Sequence, residues 1–128
     1  MTVKLKKLDE WNGRRRAVAA RYLSELLGLP GLKLPFVPEW AGAGLAYFAV
    51  RHTCRDDFQN SMTELGISTV IHYPAAPHLS GAYEEAGWRL GDSPVAEQIA
   101  QTELSLPMGP HLAAQDRDFA IKAVRQPC

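Results

Sequence analysis

Apolar residues in the first quarter of the chain recur with helical spacing. Leu5, Leu8, Trp11, Val18, Tyr22 and Leu26 lie three, four or seven positions apart, so they share one face of a helix expected from Lys4 to Leu27. Gly13 inside it costs about 1 kcal/mol relative to alanine, which a well-packed face of this length absorbs. Gly28 and Pro30 then end the pattern, by the usual glycine stop and proline break. No capping side chain precedes Leu5, and the periodicity starts almost at Met1. The expectation is either a natural helix that begins upstream of the sequence or a first turn that frays.

Further along, Leu32 to Val37 and Leu45 to His52 are short apolar runs separated by Pro38 and a Gly/Ala-rich turn from Ala41 to Gly44. They are expected to be neighbouring antiparallel strands. Phe58, Met62 and Leu65 mark a short helix from Asp56 to Leu65, stopped by Gly66. A third strand is expected from Ile67 to Tyr73, ended by Pro74. Pro74 and Pro77 then stiffen the loop from His72 to His78, since each proline restricts the residue before it. Gly81 to Gly87 suggests a helical turn. A helix follows Asp92 or Ser93, with Pro94 in its first turn and Val95, Ile99 and Thr102 along one face. Leu104 to Met108 is a short apolar segment. A last helix spans about Ala113 to Arg125, with Phe119 and either Ala123 or Val124 as core contacts. The class is α+β: a small antiparallel sheet of about three to four strands packed by helices, with a long N-terminal helix, in a single domain over residues 1–128.

Composition narrows the function classes. Lysine plus arginine and aspartate plus glutamate each number 14, giving no formal net charge, whereas nucleic-acid binders carry a basic excess. The cluster Lys4, Lys6, Lys7, Arg14, Arg15 and Arg16 spreads around a helix as a solvated face. No nucleic-acid partner is expected. No apolar stretch approaches the roughly 20 residues of a membrane span, and the two cysteines, Cys54 and Cys128, are too far apart in sequence to suggest a disulfide framework. A cytoplasmic setting fits best. The four histidines form neither a helical i, i+4 pair nor a set with CxxC, so no metal site is expected. Glycine cradles for phosphate and GxSxG elbows are also missing.

One segment carries chemistry. His72, Tyr73 and His78 put two imidazoles and a phenol on a proline-stiffened loop at a strand end. Such groups hydrogen-bond sugar hydroxyls or phosphates, so the loop is either one wall of a polar pocket or a structural turn.

Several blocks, taken in order, resemble a known family. Val3-Lys4-Leu5 through Arg14-Arg15-Arg16, Gly66-Ile67-Ser68-Thr69 into His72-Tyr73-Pro74, Pro77-His78-Leu79 and Ala82-Tyr83 are followed by Pro94-Val95-Ala96-Glu97. Leu104-Ser105-Leu106-Pro107-Met108 and Gly109-Pro110-His111-Leu112 complete the series. Together they resemble the C-terminal small domain of the DegT/DnrJ/StrS family of PLP-dependent nucleotide-sugar aminotransferases. The resemblance covers nearly the whole chain but only roughly the last third of a full-length family member.

It implies an aminotransferase small-domain fold in a fragment or truncated enzyme for polysaccharide or antibiotic sugar synthesis. The PLP-binding large domain, with its Schiff-base lysine, lies elsewhere. Lys4, Lys6, Lys7, Lys33 and Lys122 do not resemble that lysine. The isolated chain is therefore expected to hold no catalytic or cofactor-binding residue and not to transaminate. By resemblance, His72, Tyr73 and His78 line the substrate cleft and position a nucleotide sugar. Ala46 stands where relatives have a histidine, and Ser80 where a glutamine follows the His-Leu pair. The partners implied are a PLP-binding large domain or a full-length relative, with self-association through exposed Leu5, Leu8 and Trp11. Two alternatives stay open: a stand-alone accessory that docks onto a relative, and the small domain of a related PLP-dependent sugar dehydratase.

Overall fold

The computed structural model describes residues 2–38, 40–41 and 45–126. Of the expected Gly/Ala-rich turn, residues 42–44 lie outside the described residues, as does Cys128. Helices α1 (Thr2–Leu5), α2 (Leu8–Leu26), α3 (Arg55–Glu64), α4 (Pro94–Thr102) and α5 (Ala114–Val124) surround strands β1 (Leu32–Lys33), β2 (Phe48–His52) and β3 (Glu103–Leu106). The strands form an antiparallel sheet in the order β1-β2-β3, so the α+β class holds.

Register decides which residues meet. Phe48 faces Leu106, Ala49 faces Ser105, Val50 faces Leu104 and Arg51 faces Glu103. Successive side chains of a strand alternate between faces. Phe48, Val50, Leu104 and Leu106 therefore share one face, and Ala49, Arg51, Glu103 and Ser105 share the other. Three helices close the first face, with Val18, Ala19, Tyr22 and Leu26 of α2, Phe58 and Met62 of α3, and Ala120, Ile121, Ala123 and Val124 of α5 in one buried cluster. Tyr22 is fully buried, its ring 4.9 Å from that of Phe48, and its hydroxyl donates to the Pro107 carbonyl at 2.9 Å. Burial pushes the Tyr22 phenol up to about 12, against a smaller lowering by the Arg117 charge.

Four expectations change in detail. The long first helix is interrupted at Lys6 and Lys7, where the Lys7 N–H bonds to the Lys4 carbonyl three residues back. Leu5 and Leu8 are exposed, so no packing holds that turn in helical register. β1 is two residues long rather than six because Pro35 has no N–H to extend the ladder. Of the strand expected at Ile67 to Tyr73, only Val70 bridges to Ser105, since beyond Ile67 no residue of this segment is buried. The faces of two helices also differ. Phe119, Val95 and Ile99 are all exposed. α5 packs through Ala120, Ile121, Ala123 and Val124, and α4 lies against the sheet through Ala100.

The loop before α4 is tied down by one carboxylate. Glu97 accepts hydrogen bonds from the Gly91 N–H at 2.8 Å and the Ser93 N–H at 3.3 Å, and pairs with His78 Nε2 at 3.0 Å. Burial works to raise its pKa. The two backbone N–H groups and His78 outweigh that and hold it below the ordinary value of 4.5.

A lowered carboxylate contributes stability above its unfolded pKa and loses it as pH falls through the folded one. Thermal melts of wild type and Glu97→Gln are expected to differ at neutral pH and to converge as pH falls below 4.5. Parallel curves would show that Glu97 is not the group responsible. A second change tests α2. A Cβ on Gly13 would meet nothing within 4 Å, so Gly13→Ala is expected to stabilise the fold by about 1 kcal/mol in denaturant titration.

Candidate functional site

The second sheet face is only partly covered. α4 lies over it, and between α4, the sheet and the loop after Val70 opens a cleft of about 520 Å³ whose walls include Tyr47, Ala49, His72, Tyr73, Ile99, Glu103 and Ser105. An adjoining cleft of about 460 Å³ runs toward Ala46, Val70, Met108 and His111. Tyr47, His72 and Ser105 line both, so these side chains partition one continuous groove.

His72 and Tyr73 come together here. The His72 ring lies 4.1 Å from the Tyr47 ring, and its Nε2 is buried without a hydrogen-bond partner among the described residues. Tyr73 is 67% exposed and lines the larger cleft. His78 does not line either cleft. It is held by Glu97 with its side chain only 12% exposed, because the turn Pro77–Leu79 directs it toward α4. Its place is behind the wall, where it positions the loop. Ala46, where the resemblance expects a histidine, lines the smaller cleft with a methyl group.

Two further polar residues stand on the wall. Ser105 is buried and its hydroxyl donates to Glu103 Oε1 at 3.0 Å, while Glu103 Oε2 is buried without a partner among the described residues. Neither is visible in sequence as a site residue. Their only trace is the alternation Glu103-Leu104-Ser105-Leu106, which places them opposite the core once the segment is known to be a strand.

The lysines are elsewhere. Lys4, Lys6, Lys7, Lys33 and Lys122 are all exposed, and none lines the groove. No side chain of the groove thus fits the role of a Schiff-base partner for PLP. Among the described residues, no three His, Cys, Asp or Glu side chains converge as metal ligands, and no helix is long and apolar enough to cross a membrane.

Comparison with known proteins gives a consistent answer. Residues 1–125 match the DegT/DnrJ/EryC1/StrS aminotransferase family. The chain is 42% identical to the erythromycin biosynthesis sensory transduction protein EryC1 of Saccharopolyspora erythraea, over 98% of this chain and 34% of that protein. It is 43% identical to the dTDP-3-amino-3,4,6-trideoxy-alpha-D-glucose transaminase of Streptomyces venezuelae, over 98% of this chain and 33% of the enzyme. The crystal structure of S. venezuelae DesV in complex with a ketimine intermediate superposes with a TM-score of 0.94 at 44% identity, covering 97% of this chain and 33% of that one. An aminotransferase from Brucella abortus gives 0.88 at 30% identity, over 98% of this chain and 33% of its own. The chain thus spans about a third of the length of the relatives it matches. Matched along almost its whole length in both sequence and fold, it belongs to the DegT/DnrJ/EryC1/StrS aminotransferase family.

Proposed function

We propose that this chain is the C-terminal small domain of a PLP-dependent aminotransferase acting on nucleotide-linked keto-sugars, and that it supplies one wall of the substrate cleft. The observation that carries the reading is the fit to one third of the ketimine-bound DesV chain at a TM-score of 0.94. Relatives named as dTDP-amino-sugar transaminases, from Streptomyces venezuelae and Aneurinibacillus thermoaerophilus, support a dTDP-linked sugar as the substrate.

PLP belongs on the companion large domain, because no lysine of this chain lines the groove. His72 and Tyr73 hydrogen-bond and orient the sugar nucleotide, and His78, through Glu97, holds their loop in place. Alone, the chain binds no PLP and transfers no amino group. It works in the cytoplasm. Exposed Leu5, Leu8, Phe36, Trp40 and Trp88 give it apolar surface for docking onto the large domain, or onto a second copy when that domain is missing, whereas Trp11, expected to be exposed with Leu5 and Leu8, is half-buried, its ring edge-on to His111.

A chimera tests this reading. Replacing the matching last third of the Streptomyces venezuelae transaminase with this chain is expected to give a PLP-binding enzyme that aminates its dTDP-keto-sugar. His72→Ala in the chimera is expected to lower kcat/KM about tenfold, the scale of one hydrogen bond to the substrate. A folded, PLP-loaded chimera without amino transfer would contradict the proposal.

A further inference from the structure

Glu103 is an unusual group to find on this wall. Its cross-strand neighbour is Arg51, the natural counter-ion at that separation. Yet Arg51 Nε turns away to Thr102 Oγ1 at 2.9 Å, and no ion pair joins the two. The carboxylate is drawn along its own strand instead, where Ser105 donates to Oε1 and fixes its orientation. That leaves Oε2 buried with no donor. An ionised carboxylate is acceptor-only, so the missing partner must bring a hydrogen. The same cleft holds a second buried atom in the same condition, His72 Nε2. Buried polar groups in native proteins are paired as a rule, and an unpaired set at a functional cleft marks where a ligand completes the network. The surrounding wall is apolar, with Ala49, Ile99 and Ala100 nearby, which strengthens the field of the one carboxylate.

We infer that Glu103 is the specificity-determining group of the cleft: it accepts a hydrogen bond from a hydroxyl or ammonium group on the ring of the bound sugar and turns away sugars whose ring carries a carboxylate. The inference rests on the reading of the groove as a sugar-binding wall. Both unpaired atoms lie beneath the cleft surface, so pairing involves a shift of side chains. Tyr47, which is 60% exposed, lies against the His72 ring and lines the same cleft as Glu103, and by this inference that shift falls there.

The test is a pair of NMR titrations of the chain, one with D-glucosamine and one with D-glucuronate, sugars that differ in carrying an ammonium or a carboxylate. Glucosamine is expected to move the Glu103 carboxyl-carbon signal and, as the Tyr47 ring leaves, the His72 ring signals; glucuronate is expected to bind at least tenfold more weakly. In Glu103→Gln, glucosamine affinity is expected to fall by about tenfold, the scale of a hydrogen bond to a charged group, and the discrimination to vanish. Equal binding of the two sugars by wild type, unchanged affinity in Glu103→Gln, or unmoved cleft signals with either sugar would each overturn the inference. The wild-type comparison decides even if the variant fails to fold. An active chimera beside a cleft that ignores the sign of the sugar's charge would overturn the Glu103 inference alone. Selective glucosamine binding beside an inactive chimera would overturn the aminotransferase reading alone.

Discussion

The pairing of β2 with β3 is the constraint on which the rest of the structure depends. Four residue pairs in antiparallel register set which side chains meet helices and which meet the groove. A slip of one residue in β3 would carry Leu104 and Leu106 to the open face and bury Glu103 and Ser105 in the core. The apolar cost of that slip is large, because Leu104 and Leu106 join a cluster with Tyr22, Phe48 and Phe58. The core therefore enforces the geometry of the groove. Tyr22 adds a directional tie, since its hydroxyl fastens α2 to the carbonyl that follows β3.

The opposite wall depends on a different kind of interaction. The segment between Val70 and α4 contains no long helix or strand of its own, only the turns Pro77–Leu79 and Gly81–Ala86. Glu97 gathers it by pairing with His78 and accepting from two backbone N–H groups. A packed sheet thus faces a loop held by polar contacts. That contrast makes the loop the side of the cleft that opens more readily, because local opening is cheaper where few apolar contacts are lost.

Much of this was legible in the sequence, and the failures have identifiable causes. The face of α2 could be read because Val18, Tyr22 and Leu26 are large, apolar and regularly spaced. The sheet could be located but not measured: Pro35 shortens β1, and Val70 forms a single bridge where a strand was expected. For α4 the spacing puts Val95, Ile99 and Thr102 along one face without telling whether that face is buried. The helix instead packs close through Ala100 and leaves Val95 and Ile99 outside, a choice that depends on how near the sheet lies. That His72 and Tyr73 line the cleft is legible because a proline-stiffened loop at the end of an apolar run sets them apart. Glu103 and Ser105 were not, since their role exists only once strand register has turned them toward the groove. His78 was grouped with His72 by proximity along the chain, although the intervening turn sends it behind the wall.

One sheet face builds the core, and the proposed role of the other is to present a cleft wall to a PLP-bearing partner. Chemical-shift mapping tests it most directly: the isotopically labelled chain is mixed with the unlabelled large domain of the Streptomyces venezuelae transaminase. Shifts are expected at the groove, at Tyr47, Ala49, Tyr73 and Ser105, and at the exposed apolar residues Leu5, Leu8, Phe36, Trp40 and Trp88, with the α2–α5 core signals unmoved. Shifts that leave Tyr47, Ala49, Tyr73 and Ser105 unmoved, or no shifts at all, would contradict it.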